Sequence, residues 1–320
     1  MLLSVVLATA TAAGAAPRQN STAWCEALLG AVSRRYPDAA DLGTGAGGHS
    51  FSRKTHFVDG LLDLPTTTLL QRVGRMKTGE PSFLGHAAQD LWLWYNHARY
   101  LPRSGYFIDL ATNDPIVRST TYFLEQCLGW NGICIEPNPR HHARIRRERS
   151  CELVPNCISS LAGNVTFAVG TKRFGGSSQI ASDARQRSSA PTTVARTGQL
   201  SQYSEIAVRC ERLDAVLAAR GVSHVDYLSL DIEGHERVAL SSWDPAKASI
   251  DIIIVEDESA AATLAAPPLA YRRLDGRLGP DSVLVRPGQR LGIELLGGRV
   301  VWPWPQKTGK TKKTGKGKGT

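Results

Sequence analysis

Short apolar runs alternate with amphipathic segments along most of this chain, starting near residue 88. Continuous apolar runs are typical of parallel strands that are buried on both faces, and helical spacing marks the segments between them. The predicted strands are 106–110, 133–135, 153–154, 165–169, 227–231 and 252–256, and the predicted helices between them are 119–128, 141–149 and 212–220. The pattern predicts an α/β fold with a doubly wound, mostly parallel sheet.

The segments around this region have other patterns. Helical spacing predicts helices over 24–36 and 88–101. Two short apolar runs near the C-terminal end, joined through Gly and Pro, predict an antiparallel hairpin. Residues 171–204 are polar and predict a long loop, either a lid with Gly175-Gly176 as its hinge or a disordered segment. We therefore place one domain at 84–304, with an extension at 17–83 before it.

Four acidic residues stand at the ends of four predicted strands: Asp109, Glu136, Asp231 and Glu256. The carboxyl ends of parallel strands meet at one edge of the sheet, where ligands of such folds bind. We expect these carboxylates to surround one site.

Glu136 has the position of a carboxylate that receives a ribose diol, because it closes the second strand. A strand-end acid that caps the next helix is the alternative. The loop after Asp109 contains no glycine up to Pro115, and Asn113 and Asp114 add hydrogen-bond acceptors there. These acceptors disfavour a pyrophosphate and favour a cofactor with a ribose, an ammonium and a sulfonium, which is S-adenosylmethionine.

Two glycine-containing stretches resemble phosphate-binding loops in residue type but lack the sequence context that such loops require. The stretch 41–48 is rich in glycine, but the residues before it include Pro37 and form no apolar strand. The stretch 309–311 lacks the glycine that should precede it and follows no strand. We interpret the first as a flexible loop and the second as part of a flexible tail.

Two long blocks resemble the FkbM-type methyltransferases that use S-adenosylmethionine. The first is GYFIDLATNDPIVRSTTYFLEQCLGWNGICIEPNP at 105–139, and the second is LSLDIEGHE at 228–236. Shorter similarities are found at Gln89-Asp90, 208–217 and 252–256, so the resemblance covers about 84–258. It implies a class I, Rossmann-like methyltransferase fold, to which the hairpin predicted above would add the last strands, and O-methyl transfer as the usual activity.

The resemblance also implies roles for particular residues. Asp109, Asn113 and Glu136 would line the cofactor pocket, with Asn156-Cys157 near the adenine and Asp231 and Glu233 on the methyl-transfer side. This sequence has Ala111 and Pro115 where the family normally has glycine. Pro115 is compatible with the first position of a following helix. Two alternative functions therefore stay open. One is a protein that keeps the fold and binds a ligand without catalysing a reaction, and the other is an NAD-dependent oxidoreductase.

Transfer of a methyl group to a hydroxyl requires a base that removes the hydroxyl proton. We assign that role to Asp231 or His235, with Glu233 and Glu256 in support. A polar residue without a catalytic role is the alternative for His235. The expected acceptor is a hydroxyl of a sugar, a glycan or another small molecule.

The net charge of +9 is concentrated at one end of the chain. Residues 307–320 contain six lysines and no acid, which accounts for six of the nine charges. We therefore interpret the excess positive charge as a flexible tail at 305–320 and not as a nucleic-acid groove. The tail either contacts acidic surfaces or is only solvated. No apolar run reaches the ~18 residues of a membrane span.

The N-terminal residues 1–16 combine an apolar stretch with small residues, as in a signal peptide, although a basic start is absent. We expect entry into the secretory pathway, which would make Asn20 and Asn164 glycosylation sites. An organelle transit peptide and an Ala-rich leader without a sorting role are the alternatives, so an organelle and the cytoplasm stay open as locations. The six cysteines permit disulfides, but we interpret several as small buried hydrophobic residues. Their spacing matches no zinc pattern, so no metal site is predicted.

Overall fold

The structure is a computed structural model that describes residues 19–35, 70, 83–170, 179–182 and 203–302. Several stretches interpreted from the sequence lie outside these residues: the leader 1–16, the glycine-rich stretch 41–60, the tail 305–320 and most of the polar stretch 171–204. The expectations stated for them stay predictions.

Strands and helices alternate along the described chain. The strands are β1 (Tyr106–Leu110), β2 (Asn131–Ile135), β3 (Glu152–Val154), β4 (Cys157–Ile158), β5 (Gly163–Gly170), β6 (Gln179–Ser182), β7 (Tyr203–Glu211), β8 (His224–Leu230), β9 (Ser249–Val255), β10 (Arg272–Leu278) and β11 (Asp281–Val285). The helices are α1 (Gln19–Arg35), α2 (Gln89–Asn96), α3 (Tyr122–Leu128), α4 (Pro139–Glu148), α5 (Leu213–Ala218), α6 (Glu236–Leu240), α7 (Glu258–Ala265) and α8 (Gly292–Leu295). None of these helices is long and apolar enough to cross a membrane.

The main sheet has seven strands in the order β10-β11-β9-β8-β1-β2-β3. The strands from β9 to β3 pair in parallel, and β11 is antiparallel to both of its neighbours. The predicted mostly parallel sheet is confirmed. Because parallel strands point the same way, β1, β2 and β8 end at one edge, and the site is built there.

Helices cover both faces of the main sheet. Phe107 of β1 belongs to the apolar cluster that includes Phe123 of α3, whereas its neighbour Ile108 belongs to the cluster that includes Leu217 of α5 and Leu264 of α7. Successive side chains of a strand point to opposite faces, so a continuous apolar run is needed where both faces are covered. This explains why β1 contains no alternation of polar and apolar residues.

A second, four-stranded sheet lies beside the main one, in the order β4-β7-β5-β6. The predicted strand 165–169 exists, but as part of β5 it belongs to this sheet and pairs antiparallel with β7. The interpretation of 171–204 as a loop missed β6, which pairs with β5. Strand pairing of this kind depends on partners distant in sequence, which a local pattern does not contain.

All six cysteines form disulfides: Cys25–Cys127, Cys134–Cys151 and Cys157–Cys210. The interpretation of several of them as unpaired hydrophobic residues was wrong. The first bond attaches α1 to α3 across 102 residues of sequence, and the third joins β4 to β7. Spacing along the chain did not predict these pairs because the partners meet only after the sheets form.

Candidate active site

A cleft of about 700 Å³ opens at the carboxyl ends of β1, β2 and β8. Its residues come from these strand ends, from the first turn of α4, and from the second sheet. They are Leu110, Ala111, Asn113, Ile135, Glu136, Pro137, His141, Cys157, Ile158, Phe167, Ile180, Asp231, Ile232, Glu233 and His235. The lining combines apolar side chains with three carboxyl groups, those of Glu136, Asp231 and Glu233, a combination typical of sites for organic ligands.

Glu136 stands directly after β2 and is held in one orientation by the backbone. Its Oε1 accepts a hydrogen bond from Asn138 N at 2.7 Å, and its Oε2 accepts one from Asn113 N at 2.6 Å. A carboxylate has about four acceptor positions, so two stay available to hydroxyl groups. Burial raises the pKa of Glu136 to about 7, in spite of these two hydrogen bonds.

The loop after β1 turns sharply beside Glu136. Ala111 and Asn113 have φ values of 71° and 53°, in the left-handed region that favours glycine. The N–H groups of Ala111 and Thr112 both donate to the carbonyl of Ile135, at 3.0 and 3.1 Å. The loop therefore keeps the conformation of a glycine turn although Ala111 adds a methyl group. Strained residues of this kind are enriched at active sites and ligand-binding sites.

Asp114 and Pro115 shape the second half of the same loop. Asp114 Oδ1 accepts from Ile116 N at 2.9 Å and from Val117 N at 2.7 Å, and Arg144 of α4 forms an ion pair with its other oxygen. The expectation that Pro115 begins a helix was wrong, since α3 begins only at Tyr122. The N–H that proline lacks is not needed in a loop that Asp114 already stabilises.

Asp109 belongs to a buried ion network behind the loop. Its Oδ2 accepts from Thr121 Oγ1 at 2.5 Å and lies 3.6 Å from a guanidinium nitrogen of Arg149. The Arg149 side chain is fully buried, and its Nε donates to Glu125 at 2.8 Å. Burial raises the pKa of Asp109, while Arg149 and Thr121 act in the opposite direction. The network connects β1, α3 and the end of α4 under the cleft.

The loop after β8 brings Asp231, Glu233 and His235 to the other side of the cleft. Glu236 holds this loop, because its Oε1 accepts from Ile232 N at 2.9 Å and from Gly234 N at 3.2 Å. Glu233 has a φ of 57°. His235 Nε2 lies 3.3 Å from Ser159 Oγ.

Burial and neighbouring negative charges raise the pKa values of two carboxyl groups of this loop. Burial, followed by the charges of Glu256 and Glu236, raises the pKa of Glu233 to about 7. Burial, followed by Glu256 and Glu233, raises the pKa of Asp231 well above its usual range. Asp231 Oδ1 is buried without a hydrogen-bond partner among the described residues. A bound cation would stabilise the charged form of these carboxyl groups, and a hydroxyl donor would satisfy Asp231 Oδ1.

The structure separates the residues predicted from sequence into two sets. Six lie on the cleft: Asn113, Glu136, Cys157, Asp231, Glu233 and His235. Asp109, Asp114 and Asn156 are not on its lining. The carboxylates of Asp109 and Asp114 are engaged in ion pairs and in hydrogen bonds that support the loop, so they position the site from outside it.

Several residues of the site were not found from the sequence. Phe167 and Ile180 line the cleft from the second sheet, and His141 does so from α4. Burial lowers the pKa of His141 to about 4, so its ring is neutral at pH 7. A signal existed only for His141, which lies in the first turn of the helix that follows the strand-end Glu136.

Two groups within the described residues are close enough to hold a metal ion: Glu125 with Cys134 and Cys151, and His224 with Asp226 and Asp251. In the first group the two sulfurs form a disulfide, so they are not thiolate ligands. In the second, Arg103 and Arg286 already pair with the two carboxylates. Both groups lie outside the cleft lining.

Residues 109–266 match the family model described as the methyltransferase FkbM domain. The chain contains an FkbM methyltransferase domain. The match begins at Asp109, so the Gln89-Asp90 pair that also resembled the family lies before it. No curated protein matches the chain at a significant level. Every residue on the cleft lining of this FkbM domain falls within the matched range.

The strain at Ala111 of the FkbM domain yields a testable prediction. Replacing Ala111 with Gly is expected to raise the free energy of unfolding by about 0.5–1 kcal/mol, since a left-handed alanine costs about 1–2 kcal/mol and glycine gains some unfolded-state entropy. Chemical denaturation measures the change. Ala270→Gly is the matched control, because Ala270 has a φ of 49° and lies outside the cleft lining.

Neither glycine variant is expected to weaken cofactor binding. Ala111→Gly is expected to keep or increase cofactor affinity, whereas Ala270→Gly leaves it unchanged. A loss of stability in Ala111→Gly would contradict the description of this turn as strained.

Proposed function

We propose that this chain transfers a methyl group from S-adenosylmethionine to a hydroxyl oxygen of a sugar, a glycan or another small molecule. The observation that carries the proposal is the single cleft shared by Glu136, at the end of β2, and Asp231 and Glu233, after β8. The FkbM domain supports methyl transfer in general. The cofactor and the acceptor follow from the chemistry of the lining.

The residues of the cleft fit S-adenosylmethionine. Glu136 has two acceptor positions left for the ribose diol. Ile135, Ile158 and Phe167 offer an apolar surface to an adenine ring. The carboxyl groups of Asp231 and Glu233 favour a ligand with positive charge, which the sulfonium and the ammonium provide. A pyrophosphate would bring two negative charges next to them, which disfavours NAD.

The cofactor, when bound, supplies an electrophilic methyl group. Asp231 is the residue best placed to take the proton of the acceptor hydroxyl, because its Oδ1 is buried and has no partner among the described residues. Burial and the negative charge of Glu256 raise the pKa of Asp231, which favours uptake of that proton. Glu236 positions the loop through two backbone N–H groups, and His235 lies at the same wall.

A binding module without turnover is the second candidate. Ala111 and Pro115 replace two glycines of the family pattern, and Ala111 adds a methyl group to the cleft lining. The backbone of the turn is nevertheless that of a glycine turn.

Calorimetry and an activity screen separate these functions. We expect S-adenosylmethionine and S-adenosylhomocysteine to bind and NAD not to bind. A library of sugars and small alcohols, assayed with labelled cofactor, is expected to yield a methyl ether. Binding of both adenosyl compounds without any transfer would favour the binding module. Binding of NAD in place of both would overturn the proposal.

The affinity for S-adenosylmethionine is expected to rise with pH. Glu136 and Glu233, with pKa values raised to about 7, are mostly neutral below that pH and charged above it. A cation binds the charged form better, so the dissociation constant should fall about tenfold between about pH 6 and about pH 8. Calorimetry at several pH values measures this. Glu136→Gln is expected to flatten the profile, and an affinity that falls with pH would contradict the assignment.

A further inference from the structure

The three disulfides indicate the compartment in which this chain folds. Together they pair all six cysteines, and no described cysteine is free. Reducing conditions in the cytosol keep thiols from pairing in most proteins, whereas secretory compartments permit it. A domain of this size with two large apolar clusters needs no disulfides to form a core. Complete pairing therefore points to folding in an oxidising compartment.

Asn164 stands on the solvent-facing side of the second sheet. It is exposed, whereas Val165 and Phe167 on the other face of β5 are buried, and Phe167 lines the cleft. Its cross-strand neighbour in β7 is Arg209, whose side chain is 65% exposed. Alternate residues of a strand point to opposite faces, so Asn164 points away from the cleft. A large group attached there would meet solvent and not the cofactor.

The residues that follow Asn164 complete an acceptor sequence. Asn164-Val165-Thr166 is an N-glycosylation sequon without proline. Such triplets are frequent by chance, so the sequon gains weight here only from its exposure and from the disulfides. The second sequon, Asn20-Ser21-Thr22, lies within α1 and carries no part of this argument.

We propose that Asn164 carries an N-linked oligosaccharide, added when the chain enters the secretory pathway. The bond that forms joins Asn164 Nδ2 to the anomeric carbon of the first sugar. The bond that breaks joins that carbon to the diphosphate of a lipid-linked oligosaccharide, the donor that this compartment supplies. The amide loses one proton, and the lipid diphosphate leaves with the electron pair. This modification is independent of the proposed methyl transfer.

The test uses the full chain with its own leader, produced in a eukaryotic host in an Asn20→Gln background, so that any glycan reports on Asn164. Intact-mass spectrometry is expected to show the mass of one oligosaccharide and three disulfides. Digestion with peptide N-glycosidase should remove the glycan and convert Asn164 to Asp. Thr166→Ala should abolish the modification, whereas Thr166→Ser should retain it.

The cofactor affinity of Asn164→Gln, measured by calorimetry, is expected to equal that of the parent chain. An unmodified Asn164 in a secreted, disulfide-bonded chain would overturn the proposal. Retention of the chain in the cytosol with free thiols would overturn it as well. Neither result would bear on methyl transfer, which the binding and activity assays test separately.

Discussion

Replacing Asp231 with Asn is expected to abolish turnover and to leave the affinity for S-adenosylhomocysteine within a few-fold. The two side chains have the same shape, but the amide cannot take a proton from an acceptor hydroxyl. Loss of a positioned general base costs about 10²–10⁴ in rate. Asp231 lies on the cleft lining after β8, and its buried Oδ1 has no partner in the described part of the chain. Steady-state kinetics on the acceptor found in the screen, together with calorimetry, measures both effects.

Asp244→Asn is the matched control for Asp231→Asn. Asp244 lies outside the cleft lining, where it pairs with Lys247 near the surface. Its replacement is expected to leave turnover unchanged. If Asp231→Asn also leaves turnover unchanged, Asp231 has no role in the mechanism.

The pH profile separates a base from a merely structural residue. Asp231 must be charged to accept a proton, so kcat/KM is expected to rise with pH through its raised pKa. The negative charge of Glu256 is the largest contribution after burial to this raised value. Glu256→Gln should therefore move the rising limb of the profile to lower pH. A limb that does not move would contradict the coupling of these two carboxyl groups.

Replacing Arg149 with Met is expected to lower the free energy of unfolding by about 3–5 kcal/mol, the usual cost of removing one partner from a buried ion pair. Arg149 is fully buried, pairs with Glu125 and Asp109, and donates to Thr121 at 2.8 Å. Met fills similar space but leaves two buried carboxyl groups without their cation. Urea denaturation at neutral pH measures the change.

Arg147→Met is the control, since it lies two residues earlier. Its side chain is 60% exposed and pairs with Glu148, so the change is expected to stay within about 1 kcal/mol. Adding Glu125→Gln to Arg149→Met should recover part of the loss, because it removes one of the uncompensated charges. An equal effect of the two arginine variants would contradict the buried network.

The residues around the cleft show how much of the site could be predicted from the sequence. Glu136 and Asp231 were found because each follows an apolar run, and strands that run in parallel end at one edge. Glu233 was found only through the family resemblance. Asp109 satisfied the same rule, yet its carboxylate pairs with Arg149 behind the loop. The rule identifies which residue ends a strand, but it does not identify the buried cation that attracts the side chain.

The second sheet was the largest omission. Phe167 and Ile180 close the cleft from strands whose partners are set by antiparallel pairing between distant segments. The disulfide partners Cys157 and Cys210 are neighbours because β4 pairs in parallel with β7. Each of these contacts joins segments that are far apart along the chain, and nothing in a local pattern specifies them.

The sequence by itself determined the order of strands and helices, the parallel core of the sheet and the acidic edge, because apolar periodicity and strand-end position are local properties. The tertiary structure decided which carboxyl groups enter the cleft, which are neutralised by a buried arginine, which cysteines pair and which strands form the opposite wall. These depend on contacts across the fold, where burial and charge compensation outweigh the preference of any single residue.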